Sequence, residues 1–305
     1  MENIIRIATR NSPLALEQAK MVSALLSKDN NVEITPMVSS GDKVTPREFK
    51  VHGGKGLFLK ELEESLLRGD TDIAVHSLKD VPADLGKKFS IMTISTRENP
   101  CDAFISKNYK KLKDLPRNAT IGTSSPRRIA MLKNISKNFK IIEIRGNIQT
   151  RLKKMSEQNI DGIILAAAGL HRMKLEKYIA EYIPIDSFIP SAGQGILCIE
   201  YLKKNKKIEK LLNKYNSVDV EKCATEERNF VREIGGDCMS PIGAYAVIKN
   251  EKMKIDAYVS GLDGNKHIKS SYIVDIKKSV GHAGSYMAKI FINQGAKKLL
   301  RIRKK

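Results

Sequence analysis

The chain has 305 residues, of which 41% are hydrophobic and 29% charged, and its formal net charge at pH 7 is +20. This composition is typical of a globular protein with two or three domains, and no apolar run approaches the roughly 20 residues of a membrane span. The sequence starts with a strand-like pattern and no signal-peptide pattern, so we expect a cytoplasmic protein with no membrane partner.

A positive charge of this size is compatible with nucleic-acid binding. The excess is mostly lysine in dispersed runs such as 203–207, without interleaved aromatic residues. We interpret it as solvated surface and predict no nucleic-acid partner. The four cysteines are not spaced as zinc ligands, so we predict free thiols and no metal site.

The first elements are a strand at 4–8, a helix and a second strand at 32–38. Ser12 is a candidate helix N-cap, and Pro13 suits the first helical position. The apolar spacing then predicts a helix to about Leu26.

Residues 39–56 have a loop-like composition with several glycines, and such long loops are often lids or disordered segments. The pattern then predicts a helix over 57–68, closed by Gly69. A short buried strand follows at 72–75.

The segment His76–Pro82 follows this strand, and its proline disfavours regular structure. It places an ammonium and a carboxylate side by side, in Lys79 and Asp80. Open α/β sheets bind ligands at the carboxyl ends of their strands, so we predict that Asp80 is catalytic. The alternative is that both residues form a solvated turn.

A domain crossing is predicted near 96–100. After it, the order of a strand, a serine cap and a proline at a helix start, seen first around Ser12 and Pro13, occurs again. A strand delivers Thr123, Ser125 follows as a cap and Pro126 opens a helix, which leads into a strand at 139–144. Two similar α/β units in tandem are the economical interpretation. Chance recurrence of common capping residues is the alternative.

Arginines gather around the second of these helix starts. Their positions are Arg127, Arg128, Arg145, Arg151 and Arg172. Arg127 and Arg128 lie in the first turn of the helix, where cations oppose the helix dipole, and this unfavourable placement indicates a ligand with several carboxylates or phosphates. A solvated basic face is the alternative.

A buried strand is predicted at 161–165, and a second crossing at 189–195 leads to a strand at 196–201 that could return to the first unit. The remaining elements are a short helix at 208–215, a long helix at 218–234, extended runs at 243–249, 253–260 and 267–275, and a helix at about 279–293. This order predicts a small α+β domain at the C-terminus. Cys238 lies on its glycine- and proline-rich loop, where a thiol is more exposed than in a strand.

Seven motifs stand in one order along the chain: RNSPLAL, GGKGLF followed by K and ELE, HSLKDVP, GTSSPRR, RGN with TRL, SAGQGIL and GGDCMSPIG. Together they resemble the motifs of the porphobilinogen deaminase (hydroxymethylbilane synthase) family of tetrapyrrole biosynthesis, including haem biosynthesis. The resemblance implies two periplasmic-binding-protein-like α/β domains with an active cleft between them, and a small C-terminal α+β domain. We therefore predict domain 1 at 1–97 with 197–216, domain 2 at 98–196, and domain 3 at 217–305.

The resemblance further implies a transferase with a dipyrromethane cofactor, held by a thioether to Cys238, and catalysis by Asp80. The implied cofactor-binding residues are Cys238, Lys79, Asp80, Thr123, Ser125, Arg127, Arg128 and Arg151. The implied substrate-binding residues are Arg10, Ser12, Lys55, Phe58, Arg145, Arg151, Arg172 and Gln194. Phe58 could stack on a pyrrole or belong to the core.

In the implied reaction, a monomeric enzyme joins four porphobilinogen molecules, with loss of ammonia, into linear hydroxymethylbilane. Each ring carries an acetate and a propionate, which accounts for the arginines. Asp80 would stabilise positive charge on pyrrole nitrogens, and the loop at 42–56 would exclude water.

Asp237 stands before the cysteine where the family usually has glycine, and we expect its charge to disfavour the Cys238 thiolate. The rival function is a two-lobed solute-binding protein for a small carboxylate ligand. Such a protein would need neither Asp80 nor Cys238 and would normally carry an export signal.

Overall fold

The computed structural model describes residues 4–39, 59–237, 239–279 and 281–301. The chain divides into two compact units. The first unit comprises Met1–Arg97 and Ile196–Glu221, and the second comprises Glu98–Gly195 and Lys222–Lys305. In the described ranges, no helix is long and apolar enough to cross a membrane.

The first unit is built on a mixed five-stranded sheet. Its strands are β1 (Ile4–Arg10), β2 (Asn31–Met37), β3 (Ile73–Ser77), β4 (Phe89–Ile94) and β10 (Leu197–Leu202). Their order is β2-β1-β3-β10-β4, with β1 parallel to both β2 and β3. β10 lies antiparallel between β3 and β4, so the strand predicted at 196–201 does return to this sheet.

Helices cover the faces of this sheet. They are α1 (Pro13–Leu26), α2 (Lys60–Arg68) and α6 (Lys206–Leu212), the last followed by a 3₁₀ turn at Asn213–Tyr215. α1 is capped by Ser12 with proline at its start, as the sequence predicts. α2 ends at Gly69, whose φ of 78° requires glycine. The predicted start of α2 at residue 57 lies outside the described residues.

The second unit contains another mixed five-stranded sheet. Its strands are β5 (Asp102–Ile105), β6 (Thr120–Gly122), β7 (Lys140–Ile142), β8 (Gly162–Ala166) and β9 (Glu181–Ile183). Their order is β7-β6-β8-β5-β9, with β6 parallel to β7 and β8, and β5 antiparallel to β8 and β9. The sheet therefore repeats the order and strand directions of the first one, as the recurring strand–cap–helix pattern predicts.

Helices of the second unit follow the parallel strands. They are α3 (Pro126–Ile135), α4 (Ile148–Glu157) and α5 (Ala167–Arg172), with 3₁₀ turns at Leu112–Asp114 and Glu176–Tyr178. Ser125 caps α3 and Asn147 caps α4, each by accepting a backbone N–H three residues ahead. Parallel strands β6 and β8 thus deliver α3 and α5 to one edge of the sheet.

The C-terminal part of the second unit is a three-stranded antiparallel sheet with helices. Its elements are α7 (Val218–Ile234), β11 (Ile242–Lys249), β12 (Lys252–Ser260), β13 (His267–Asp275), α8 (Ile276–Ser279), α9 (Ala283–Asn293) and α10 (Ala296–Arg301). Phe230 of α7 packs edge-to-face on Phe291 of α9. The predicted fold class, two α/β sheets and a small α+β part, is confirmed.

Some predicted boundaries were wrong. A single helix from 279 to 293 is replaced by α8 and α9, because Gly281 between them has a φ of 96° that a helix cannot contain. The strand predicted at 139–144 is limited to β7. The helix predicted at 208–215 begins earlier, as α6, and ends in a 3₁₀ turn.

Candidate active site

The Lys79–Asp80 pair lies on a 3₁₀ turn, Leu78–Asp80, directly after β3. Leu78 is buried, its N–H donates to the Ile196 carbonyl oxygen at 2.9 Å, and its own carbonyl accepts from the Val81 N–H at 3.1 Å. The buried Leu78 therefore holds the turn in place. Lys79 is half-buried, whereas Asp80 is exposed and none of the described residues donates a hydrogen bond to its carboxylate.

The end of β1 lies at the same edge of the first sheet, because β1 and β3 are parallel. Arg10 ends β1, and Ser12 follows with its hydroxyl accepting the Ala15 N–H at 3.3 Å. Gln18 of α1 donates to the Ser77 hydroxyl at 2.8 Å and so ties the helix to the end of β3. Three predicted residues, Arg10, Asp80 and Lys79, therefore share one edge of one sheet.

Two neighbouring glutamates, Glu200 and Glu63, lie close to His76 on β3. Glu200 is 0% exposed, and its Oε2 lies 3.0 Å from Nε2 of His76, near the end of β3. No donor among the described residues reaches its other oxygen. Burial and then the charge and hydrogen bond of Glu200 raise the pKa of Glu63 on α2 to about 7. The Glu63 carboxyl therefore keeps its proton up to about pH 7.

Replacing Glu63 with glutamine is expected to reduce the loss of stability as pH rises. A carboxyl whose pKa is raised on folding stabilises the fold fully below its ordinary value, 4.5, and this contribution is lost as pH rises through about 7. The full shift corresponds to about 3 kcal/mol, but Glu63 is half-exposed and solvent screening reduces the expected effect to about 1 kcal/mol.

Thermal unfolding at pH 5 and pH 8 measures this effect. The wild-type Tm should fall by roughly 2–4 °C more than that of the Glu63→Gln variant. Glu64→Gln, a change at an exposed neighbour on the same helix, is the matched control and should behave like the wild type. Equal pH dependence in all three proteins would show that folding does not raise the pKa of Glu63.

The arginines of α3 are buried around a carboxylate that the sequence analysis did not single out. Asp102, at the start of β5, is 0% exposed, and Arg127 and Arg128 are 1% and 6% exposed. Nη1 of Arg127 lies 2.7 Å from Asp102 Oδ2, and Nη2 of Arg128 lies 2.7 Å from Oδ1. Two cations thus share one anion, and the cluster keeps a net positive charge.

Backbone carbonyls complete this arginine cluster, which we define as Asp102, Arg127 and Arg128. Arg127 donates to the Ile189 carbonyl at 2.8 Å and Arg128 to the Ile164 carbonyl at 2.9 Å. Burial raises the pKa of Asp102, but the two guanidinium groups outweigh it and hold that pKa well below its ordinary value. Burial lowers the pKa of Arg127, and Asp102 opposes this shift.

Three other predicted residues lie at or next to this cluster. The buried Gln194 donates from Nε2 to Asp102 at 3.0 Å and to the Pro100 carbonyl at 2.7 Å. The Thr123 hydroxyl accepts the Ser125 N–H at 3.3 Å, and the Ser125 hydroxyl accepts the Arg128 N–H at 3.5 Å. These two hydroxyls fix the backbone at the start of α3, and Arg127 and Arg128 lie in that first turn.

The remaining predicted arginines are spread over the same unit. Arg145 follows β7 and pairs with Glu143 through Nε, and Arg151 on α4 donates to the Gly146 carbonyl at 2.7 Å. Arg172 ends α5, and its Nη2 donates to the Gly195 carbonyl at 2.8 Å. Its Nε is buried and has no hydrogen-bond partner among the described residues. Burial lowers the pKa of Arg172 to about 10.

The loop before β11 is held by Asp237. Its Oδ1 accepts the Met239 N–H at 2.9 Å and the Ser240 hydroxyl at 2.7 Å. The expected effect of Asp237 on Cys238 stays a prediction, because Cys238 lies outside the described residues. Lys55, Phe58 and the proposed lid at 42–56 also lie outside them.

Comparison with protein families gives matches over both parts of the chain. A model described as "Porphobilinogen deaminase, dipyromethane cofactor binding domain" matches residues 5–210, and one described as "Porphobilinogen deaminase, C-terminal domain" matches 221–289.

The chain belongs to the porphobilinogen deaminase family.

Curated relatives agree with this assignment. The porphobilinogen deaminase of Ruthia magnifica subsp. Calyptogena magnifica is 39% identical over 304 residues, 99% of this chain and 100% of the relative. That of Campylobacter hominis is 42% identical over 305 residues, 98% of each chain. The resemblance carried by the motifs is confirmed, and the chain is an enzyme of the transferase type with a dipyrromethane cofactor.

A solved structure is also similar. The putative methionine-binding lipoprotein of Bacillus subtilis shares 16% identity with this chain, covers 71% of it and 92% of its own chain, and has a TM-score of 0.43.

The residues of the second unit fit the cofactor of the porphobilinogen deaminase family. Dipyrromethane carries acetate and propionate groups, which need cationic donors. The arginine cluster retains a net positive charge, and Arg172 holds a buried Nε without a partner among the described residues. Asp102 could have been suspected from sequence, since an aspartate in an apolar strand requires a cation.

Proposed function

We propose that this chain joins four porphobilinogen molecules, with loss of one ammonia each, into linear hydroxymethylbilane, and that Asp80 is its catalytic residue. The cofactor is assigned to a thioether with Cys238. When bound, dipyrromethane supplies the nucleophilic pyrrole carbon that primes chain growth. The single observation that carries the assignment of Asp80 is its exposed carboxylate on a turn fixed by Leu78.

Asp80 matches the charge that develops in this reaction. Loss of ammonia from the aminomethyl group of porphobilinogen leaves positive charge on the pyrrole nitrogen. A fixed carboxylate opposes that charge, accepts the pyrrole N–H and can take up a proton. Lys79, next to it on the same turn, provides a cation for an acidic group of the cofactor.

The arginines match the acidic side chains of the pyrroles. We assign Arg127, Arg128, Thr123, Ser125 and Arg151 to the cofactor. Arg10, Ser12, Arg145, Arg151, Arg172 and Gln194 are assigned to the substrate and the growing chain. The geometry supports this division in part. Asp102 holds Arg127 and Arg128 in place, whereas Nε of Arg172 has no hydrogen-bond partner among the described residues. Lys55 and Phe58 stay predictions from sequence.

We infer a cytoplasmic monomer that binds neither nucleic acid nor membranes, on the basis of composition and the dispersed lysines. We also keep the three-domain division at 1–97 with 197–216, 98–196 and 217–305 as a proposal.

The intact mass of the purified protein tests the attachment of the cofactor. The wild type should exceed the mass calculated from its sequence by two pyrrole units, and Cys238→Ser should match its sequence mass. Cys223→Ser, a change at a buried thiol, is the control and should keep the surplus. A wild type without the surplus that also fails to consume porphobilinogen would contradict the proposal. Binding of porphobilinogen without consumption would instead favour the solute-binding function.

A further inference from the structure

Arg172 lies beside an acidic side chain that does not neutralise it. The Glu98 N–H donates to the Gly195 carbonyl at 3.1 Å, and Nη2 of Arg172 donates to the same oxygen at 2.8 Å. The Glu98 charge is close enough to raise the pKa of Arg172 against the larger lowering effect of burial. Yet Glu98 and Arg172 do not form an ion pair, and Nε of Arg172 has no partner among the described residues.

The carboxylate of Glu98 is held by a different group. Its Oε1 lies 2.9 Å from Nδ1 of His171, and the Asn99 N–H donates to the same oxygen at 2.8 Å. Nε2 of His171 lies 2.9 Å from the Tyr182 hydroxyl, and the two rings meet edge-to-face. Because a carboxylate can only accept, Nδ1 carries a proton and donates it to Glu98.

We propose that the Glu98–His171–Tyr182 chain is a positioning device that keeps the Glu98 carboxylate away from Arg172, so that the guanidinium stays available for a carboxylate of the substrate. This inference rests on the proposed function. Without the imidazole, Glu98 would keep only a backbone donor at Oε1, and the Arg172 guanidinium, whose charge already acts on Glu98, would be available as its partner. Glu98 would then compete with the substrate for Arg172.

Steady-state kinetics with porphobilinogen test the inference. His171→Phe removes the donor and should raise KM about tenfold while kcat stays within about twofold. His171→Gln keeps an N–H donor and should have a KM close to the wild type. The double variant His171→Phe with Glu98→Gln removes the competing charge and should restore the wild-type KM.

Two further measurements separate this effect from a general loss of structure. Tyr182→Phe, a milder change at an exposed residue, should raise KM by roughly twofold to threefold with an unchanged Tm. A crystal structure of His171→Phe should show Glu98 paired with Arg172. An unchanged KM in His171→Phe, or a raised KM in the double variant, would overturn the inference while the proposed function stands. A wild type that does not consume porphobilinogen would overturn both.

Discussion

Replacing Asp80 with alanine is expected to slow porphobilinogen consumption by about a hundredfold or more and to leave the fold unchanged. The side chain is exposed and no described residue donates to it, so its removal should change the unfolding free energy by less than about 0.5 kcal/mol. The lost carboxylate can no longer oppose charge on the pyrrole nitrogen, and such electrostatic contributions are worth about 10²–10³ in rate. Rates and Tm measured on the same preparation check both parts.

Asp84 offers a matched control for this variant. It is an exposed aspartate a few residues further along, and its Oδ1 accepts the Gly86 N–H at 3.0 Å. Asp84→Ala should therefore keep the wild-type rate. Full activity in Asp80→Ala, or equal losses in both variants, would remove Asp80 from its assigned role.

Replacing Asp102 with asparagine should produce the largest loss of stability. The substitution leaves two buried guanidinium groups without their shared anion, and breaking a buried ion pair costs about 3–5 kcal/mol. Because the pKa of Asp102 is lowered on folding, its stabilisation is fully present above its ordinary value, 3.8, and is lost only in strong acid. The destabilisation should thus be the same at pH 6 and pH 8.

Urea unfolding of the wild type and of Asp102→Asn at pH 6 and pH 8 measures this loss of unfolding free energy. Asp186→Asn, in the same unit, is the control, since that side chain is 87% exposed and faces Lys254 at 3.7 Å. Its effect should stay within about 0.5 kcal/mol. A loss below about 1 kcal/mol in Asp102→Asn would show that the arginine cluster does not depend on this carboxylate.

Local signals in the sequence predicted the parts of the fold that depend on neighbouring residues. Ser12 with Pro13, and Ser125 with Pro126, start α1 and α3 because capping and proline geometry act within one turn. The antiparallel insertion of β5 into the second sheet depends on distant pairing, and no local pattern specifies it.

In the candidate site too, local sequence patterns did not specify the distant partner of the arginines. Their unfavourable placement at the start of α3 indicated an anionic partner, and the described structure shows that a protein carboxylate, Asp102, is one such partner. Similarly, the sequence indicates only the charge of Asp237 beside Cys238, whereas the folded chain shows that Asp237 also orders its own loop through Met239 and Ser240. Sequence could raise Asp102 as a candidate, but its pairing with Arg127 and Arg128 depends on contacts between distant segments.

The most direct test of the central claim is the rate of ammonia release from porphobilinogen by Asp80→Asn, which removes the charge and keeps the size of the side chain. We expect the wild type to release one ammonia for each porphobilinogen consumed and Asp80→Asn to be slower by about a hundredfold or more. Ammonia release by Asp80→Asn at the wild-type rate would contradict the claim that a carboxylate charge at this position drives the reaction.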